Sequence, residues 1–410
     1  MYLFTGNAIT LVIFAASLCV PIFGDADRDN RDILPVNRNA DSVNRNADSV
    51  NRNADSVNRN ADSVNRNADS VNRNADSVNR NADSVNRNAD SVNRSSDHGT
   101  GSSFEEFVLR FGKKYSSQRE YDERFAVYQA SLRRHEWLNA AASARHNGSR
   151  WRPRYGVTRF SDLTPQEFRE MFLLGTKGPP AYSGASAPPG PHVQLSNLPT
   201  HFDWRDKRAV TAVKNQESCG GCWAFASVQV VESASVLAGG LLKPLSVQQV
   251  LDCSRVNHGC QGGDTVTAFS WLNKTRLHLV LESVYPFTNS AGPCRIFTNS
   301  TPGVEIKDFA SHSFRDDEEA MMGWLVGRGP LAVSVDAVSW QDYLGGVVQH
   351  HCSSSAPNHA VTLTGYSLGD LPYWIVRNSW GPEWGLDGYI YIKMFENVCG
   401  IANEVATVTV

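Results

Sequence analysis

The stretch Gln216-Glu217-Ser218-Cys219-Gly220-Gly221-Cys222-Trp223-Ala224-Phe225 decides how the rest of the chain is read. A polar loop leads into two cysteines around a Gly-Gly pair, and an apolar run follows. Trp223, Phe225, Val228, Val231 and Val236 recur at steps of two to five residues, close to helical spacing, until Gly239-Gly240 stops the run. The spacing predicts a buried helix of roughly five turns with Cys222 in its first turn. A thiol there meets the positive end of the helix dipole and free N–H groups, which favour thiolate over thiol. The local pattern fits a nucleophile, but also a redox Cys-x-x-Cys pair or two ligands of a zinc site.

The cysteine inventory narrows this. The eight stand at 19, 219, 222, 253, 260, 294, 352 and 399. Cys19 falls in a removable N-terminal segment. Six of the remainder can pair in an oxidising compartment, and one is left as a free thiol. If Cys219 is bridged, Cys222 is the natural candidate. Far downstream, Asn358-His359-Ala360-Val361 opens an alternating run, and Trp374-Ile375-Val376-Arg377-Asn378-Ser379-Trp380-Gly381 follows it. His359 and Asn378 both read as residues at strand ends, where a rigid sheet presents a side chain. A Cys–His–Asn set needs an imidazole near the thiol to hold its proton and an amide oxygen to fix the ring's tautomer.

Cys-Gly-Gly-Cys-Trp-Ala-Phe, Asn-His-Ala-Val and Asn-Ser-Trp-Gly together resemble the three signature blocks of papain-like cysteine proteases, with Gly221 where the family has Ser or Ala. The resemblance runs from the region of Phe104 to the C-terminus. Gly221, the run 335–346 and His350-His351-Cys352 point to one branch within it. It implies an α+β fold of two lobes, one helical and one β-barrel-like, with the cleft between them and a helical inhibitory prodomain in front. It implies Cys222 as nucleophile, His359 as its base, Asn378 as the orienting amide and Gln216 as oxyanion donor, with Trp380 shielding the His–Asn bond. Gly262, Gly263, Thr265, Ala360 and Trp380 are then substrate-binding residues. Glu404 falls at the base of the pocket for the second residue before the cut, where an ionised carboxylate could pair with a guanidinium.

Family pairing implies the bridges Cys219–Cys260, Cys253–Cys294 and Cys352–Cys399, which leave Cys222 free. The implied activity is endopeptidase cleavage through a thioester, with no cofactor and no metal. The implied partners are protein and peptide substrates, the chain's own prodomain and cystatin-like inhibitors, with the enzyme a monomer. Acyl transfer on the same triad and a non-catalytic binding protein of the same fold are the rival functions. The intact residue set and the prodomain favour proteolysis.

Along the chain, residues 1–24 are mostly apolar, and only Thr10 and Ser17 break the run from Ile9 to Val20. That suits a signal-peptide core and is too short for a membrane span. No stable membrane anchor is expected. Residues 25–100 read as disordered and low in complexity, with eight copies of Val-Asn-Arg-Asn-Ala-Asp-Ser over 36–91. Seven-residue spacing suggests a coiled coil, but each unit offers one Val, one Ala and no long apolar side chain for a seam. Residues 101–175 read as the prodomain. Phe104, Phe107, Val108 and Phe111, then Tyr121, Phe125, Tyr128 and Leu132, give an apolar helical stripe broken near Gly112.

The family's prodomain helix pattern fits at Glu120, Arg124, Tyr128 and Asn139, while Ser131 and His135 replace its Asn and Ile. Glu120–Arg124 is a favourable i,i+4 pair. A second family block appears as Gly156-Val157-Thr158-Arg159-Phe160-Ser161-Asp162, with Thr for Asn. Residues 176–197 read as a cleavable linker and 198–410 as the peptidase. Helices are expected over 222–237, 246–253 (capped by Ser246) and 265–273. Strands are expected over 331–336, 361–366, 373–377 and 389–393.

The sequons at Asn93, Asn147, Asn273 and Asn299, the last weakened by Pro302, suit a secretory-route glycoprotein. His350 and His351 read as surface residues. The expected destination is the lysosome, or secretion. A net charge of −3 and a pI near 6.4 argue against a nucleic-acid partner. Asp162 and Glu120 are the expected carboxylates behind activation in acid.

Overall fold

The computed structural model describes residues 100–145, 149–173, 198–298 and 300–410. The expected signal peptide 1–24, the repeats over 36–91, the linker 176–197 and the sequons at Asn93, Asn147 and Asn299 lie outside the described residues. From His98 onward the chain forms one compact unit.

The prodomain comes first, as α1 (Thr100–Arg110), α2 (Gln118–Arg145), a short strand β1 (Arg154–Tyr155) and α3 (Pro165–Phe172). The expected aromatic stripe closes α1 on α2. Phe104 is fully buried with Phe107, Tyr121, Phe125 and Tyr128 around it. The break falls in the turn where Gly112 takes a φ of 60°. One expectation changes here. Glu120 accepts from the Ser116 backbone and hydroxyl at 2.6 Å rather than pairing with Arg124. Arg124 instead reaches Glu167 at 2.9 Å and the Asp162 carbonyl at 3.0 Å, tying α2 to α3. Glu167 also completes a capping box with Thr164, so one carboxylate caps α3 and anchors it.

The helical lobe forms around α4 (Cys222–Leu237). Every residue from Cys222 to Ala234 is buried, which is how a helix apolar on all sides must sit. Its one buried charge, Glu232, is satisfied by Lys214 Nζ at 3.0 Å, the Leu245 N–H and the Thr211 hydroxyl. Against α4 pack α5 (Val247–Cys253) and α6 (Thr265–Thr275). Ser246 caps α5 as expected, accepting from Gln249 N at 2.9 Å, and Asp264 caps α6.

The second lobe holds β2 (His201–Asp203), β5 (Asp308–His312), β6 (Leu331–Val335), β8 (Val347–Val348), β9 (His359–Ser367), β10 (Tyr373–Arg377), β11 (Tyr389–Lys393) and β12 (Val405–Thr409). They form an eight-stranded sheet in the order β5-β12-β6-β9-β10-β11-β8, with β2 beside β9. The four expected strands are all present, β9 extended back to His359. The short strands β3 (Leu279–Val280) and β4 (Gly303–Val304) pair with each other, and β7 (Tyr343–Gly345) pairs with β1 of the prodomain. The helix α7 (Glu318–Arg328) lies in this lobe, and Glu318 receives the Trp374 indole N–H at 2.6 Å. The two apolar cores meet where α4 crosses β9, β12 and β6. Phe160, Phe168 and Phe172 of the prodomain belong to the sheet lobe's core. None of the described helices is long and apolar enough to cross a membrane.

Candidate active site

Three elements converge on one point. α4 begins at Cys222, β9 begins at His359, and Asn378 directly follows β10. Because β9 and β10 pair with Thr362 opposite Arg377, Asn378 is brought beside the start of β9. His359 Nε2 lies 2.8 Å from Asn378 Oδ1. An amide oxygen only accepts, so the proton on that side sits on Nε2 and Nδ1 is left as the basic nitrogen. Nδ1 has no hydrogen-bond partner in the protein although it is buried. Trp380 stacks on the imidazole with ring centroids 4.8 Å apart, and Trp340 stands edge-on at 6.1 Å. The aromatic cover over the His359–Asn378 bond is therefore in place.

Cys222 is the free cysteine among the described residues, and the three implied bridges are all formed. The Cys219–Cys260 bridge needs the glycine beside it, since a Cβ on Gly220 would sit 2.5 Å from the Cys260 carbonyl oxygen. Gly221, the departure from the family's Ser or Ala, faces Leu251, whose methyl would stand 2.9 Å from a Cβ there.

The electrostatics of the pair oppose the expected thiolate in this precursor. Burial pushes the Cys222 thiol up to about 12, against the opposing pull of the Ala360, Trp223 and Cys222 backbone N–H groups. Burial also brings His359 down to about 4, and the Asn378 oxygen offsets only part of this. Both residues are fully shielded from solvent. In this state burial works against charge on both.

The prodomain packs on the residues that cover this site. Phe160 and Phe168 meet the Trp380 ring edge-on at 5.5 and 5.2 Å. Gln216 shows how closely the segment follows the cleft: its Nε2 donates to the Phe172 carbonyl at 3.2 Å and to the Cys219 carbonyl at 3.0 Å. A backbone carbonyl of the prodomain thus lies on the candidate oxyanion donor. Ser379 orients that amide, its hydroxyl donating to Gln216 Oε1 at 2.6 Å while its carbonyl accepts the Gln216 N–H at 2.8 Å. The sequence reading passed over Ser379, though it stands inside the Asn-Ser-Trp-Gly block that drew attention to its neighbours.

The expected pocket residues cluster beside this centre. Gly262 has a φ of 107°, and a Cβ on Gly263 would strike the Trp223 ring at 2.7 Å. Thr265 opens α6, and Ala360 pairs with Ser334 across β9 and β6. Glu404 lies against Ser334, whose hydroxyl donates to its Oε1 at 3.3 Å. The expectation of an ionised Glu404 does not hold near neutrality. Burial, then the neighbouring Asp264 carboxylate, pushes its carboxyl up to about 8. Asp264 is the residue the sequence reading missed. Its Oδ1 accepts the Thr267 N–H, while its buried Oδ2 has no donor other than a proton that Glu404 could supply.

Two further expectations are placed. Asn273 is half-buried on α6, with its Oδ1 lacking a partner. His351, read as a surface residue, is instead half-buried at the prodomain contact, its ring against Trp137 and Tyr155.

A free thiol at a helix start, an imidazole oriented by an amide oxygen and a prodomain laid across them define a cysteine protease held as a precursor. Comparison with known families agrees: residues 198–409 match the papain family cysteine protease pattern, and residues 104–168 match the cathepsin propeptide inhibitor domain. The chain belongs to the papain family of cysteine proteases and is a zymogen of that family. It is 50% identical to cathepsin O of Mus musculus over 72% of this chain and 92% of that protein. It is 48% identical to cathepsin O of Homo sapiens over 71% and 89%. Digestive procathepsin L2 of Tenebrio molitor larval midgut superposes with a TM-score of 0.65, at 30% identity, over 76% of this chain and all of that one.

Proposed function

We propose that the peptidase cuts internal peptide bonds by way of a Cys222 thioester, and that acid releases it from its prodomain. The observation that carries this is the Phe172 carbonyl seated 3.2 Å from Gln216 Nε2, a peptide carbonyl already held where an oxyanion donor is needed. With the prodomain gone, water and the N–H groups at the start of α4 stabilise the thiolate, and the thiol proton moves to Nδ1 of His359. The thiolate sulfur attacks the substrate carbonyl carbon, and negative charge gathers on the oxygen facing Gln216 Nε2 and the Cys222 N–H. The C–N bond breaks as the imidazolium hands its proton to the leaving amine. Water, deprotonated by the same imidazole, then attacks the thioester, and the acid product and free thiol return.

Asn378 keeps the ring in the tautomer that leaves Nδ1 free to take the thiol proton. Ser379 is a positioning residue for Gln216. The three disulfides suit an oxidising, secretory route, with the lysosome as destination. The test is Cys222→Ser: it abolishes peptide hydrolysis while the fold and bridges persist. Turnover retained in that variant, with contaminating proteases excluded, would falsify the mechanism.

A further inference from the structure

The prodomain's two departures from its family helix pattern, Ser131 and His135, are left unused by the chemistry above. Both are buried on α2; His135 meets a residue of the peptidase, and Ser131 braces the side chains that meet it. That residue is Asp342, only 2% exposed, just before β7. His135 Nε2 lies 2.9 Å from Asp342 Oδ1. Arg134 donates to both carboxylate oxygens, Nε to Oδ2 at 2.5 Å and Nη2 to Oδ1 at 2.8 Å. Ser131 Oγ accepts from Arg134 Nη2 at 2.7 Å and contacts His135 Nε2 at 3.2 Å, holding the two in place. Among the described residues, the basic side chains that meet Asp342, Arg134 and His135, come from the prodomain.

Apart from the Thr158 hydroxyl, which donates to the Gln341 carbonyl at 2.7 Å, the neighbouring contacts on residues 341–345 run through prodomain backbone. β1 pairs with β7, and the Gln341 amide donates to the Phe160 and Leu163 carbonyls at 3.0 and 2.8 Å. Backbone contacts of that kind would hold many extended segments alike. A buried carboxylate does not. Left without its cations it is strongly penalised, so a prodomain offering hydrocarbon at position 135 is rejected rather than merely less favoured.

We infer that Ser131, Arg134 and His135 form a recognition patch by which the prodomain selects its own peptidase, with Asp342 as the residue it reads. The inference rests on the zymogen reading and adds the determinant of partner choice. It gives the two departures a single purpose, since the family's Ile at position 135 could make no such bond.

The test is a double-mutant cycle in the full-length precursor, read as the half-time of self-processing at one acidic pH. Asp342→Asn and Arg134→Gln should each shorten the half-time by about tenfold or more, because each leaves a buried partner unpaired. The double variant should be no faster than the faster single one; effects that multiply would overturn the inference. Restoring the family pattern with Ser131→Asn and His135→Ile should release the prodomain as readily as Asp342→Asn, and parent-like latency there would overturn it as well. Fully processed Asp342→Asn should match the parent in kcat/KM on a small peptide. A loss of activity would instead assign Asp342 to the peptidase's own structure and end the proposal. The same cycle read as thermal midpoints of Cys222→Ala precursors needs no processing. A parent that never processes at any pH would count against the zymogen reading, while the thermal cycle would still decide the patch.

Discussion

The prodomain meets the peptidase in two regions of opposite chemistry. Over the cleft the contact is apolar: Phe160, Phe168 and Phe172 join the sheet lobe's core and press on Trp380. Beside β7 the contact is ionic, with Arg134 and His135 on Asp342. The first region lies over the cleft, where burial works against charge on Cys222 and His359. The second sits away from the reacting atoms and leaves their protonation alone. Latency and partner choice are thus separable, and each can be broken without the other.

The largest expected effect is on the apolar side. With the thiol pushed up to about 12 and shielded from solvent, alkylation of Cys222 by iodoacetamide at neutral pH should be slower in the precursor than in the processed enzyme by at least about a hundredfold. Peptide mapping with mass spectrometry reads this directly. Equal rates in the two forms would mean that the prodomain does not bury the thiol in solution.

Next in size is Phe168→Ala. The ring is 1% exposed and packs on Phe160, Phe172 and Trp380. Removing such a ring costs about 3–5 kcal/mol. The precursor should cleave a small peptide at neutral pH well above the parent's background, while its latency keeps its dependence on Asp342. A silent precursor would show that the ionic region alone holds the cleft shut.

How much of this was legible beforehand follows from what each feature depends on. The nucleophile, its base, the amide and the bridges could be read because each sits in a short block whose chemistry demands those residue types. The buried helix and the four longer strands announced themselves through apolar spacing. The state of the site could not be read this way. A thiol at a helix start argues for thiolate, and the burial that opposes this is a tertiary property that no local pattern carries. Ser131 and His135 registered only as misfits to a pattern until Asp342 came beside them. The Asp264–Glu404 contact joins the start of α6 to the chain before β12, and no local pattern links those two places.

A smaller effect, and one that tests both regions, is the response to acid. Burial alone would raise Asp342, but Arg134 and His135 outweigh it and hold the carboxyl below the usual range. Glu167 behaves likewise, with Thr164 and Arg124 outweighing burial. For a carboxyl lowered by folding, the stabilisation is complete above the unfolded value, about 3.9 for Asp and 4.3 for Glu, and fades as pH falls through the folded one. Unfolding also protonates His359, which burial holds neutral down to about 4, so its contribution is full above about pH 6.5 and is lost as pH falls towards 4. The thermal midpoint of the Cys222→Ala precursor should therefore begin to fall below about pH 6.5 and drop more steeply below about pH 4.5. A decline already complete by about pH 6 would assign the acid trigger to other groups.

The smallest effect sharpens the comparison by moving to a carboxyl that neither prodomain region touches. Asp342 faces cations and stays charged; Glu404 faces Asp264 and keeps its proton up to about 8. A guanidinium entering the pocket for the second residue before the cut would have to displace that proton, so its binding is linked to pH, and that of a phenyl ring is not. For the processed enzyme, kcat/KM for a peptide with Arg at that position should climb relative to its Phe counterpart as pH rises from about 6 to 8. Asp264→Asn keeps a side chain able to cap α6 but removes the opposing charge. Glu404 would then ionise at lower pH, and Arg peptides should gain about tenfold near pH 6, equivalent to about 1.4 kcal/mol, while Phe peptides hold. Glu404→Gln should flatten the Arg profile altogether. If the Arg-to-Phe ratio is the same at every pH in all three enzymes, Glu404 takes no part in selection and the Asp264 contact serves only the fold.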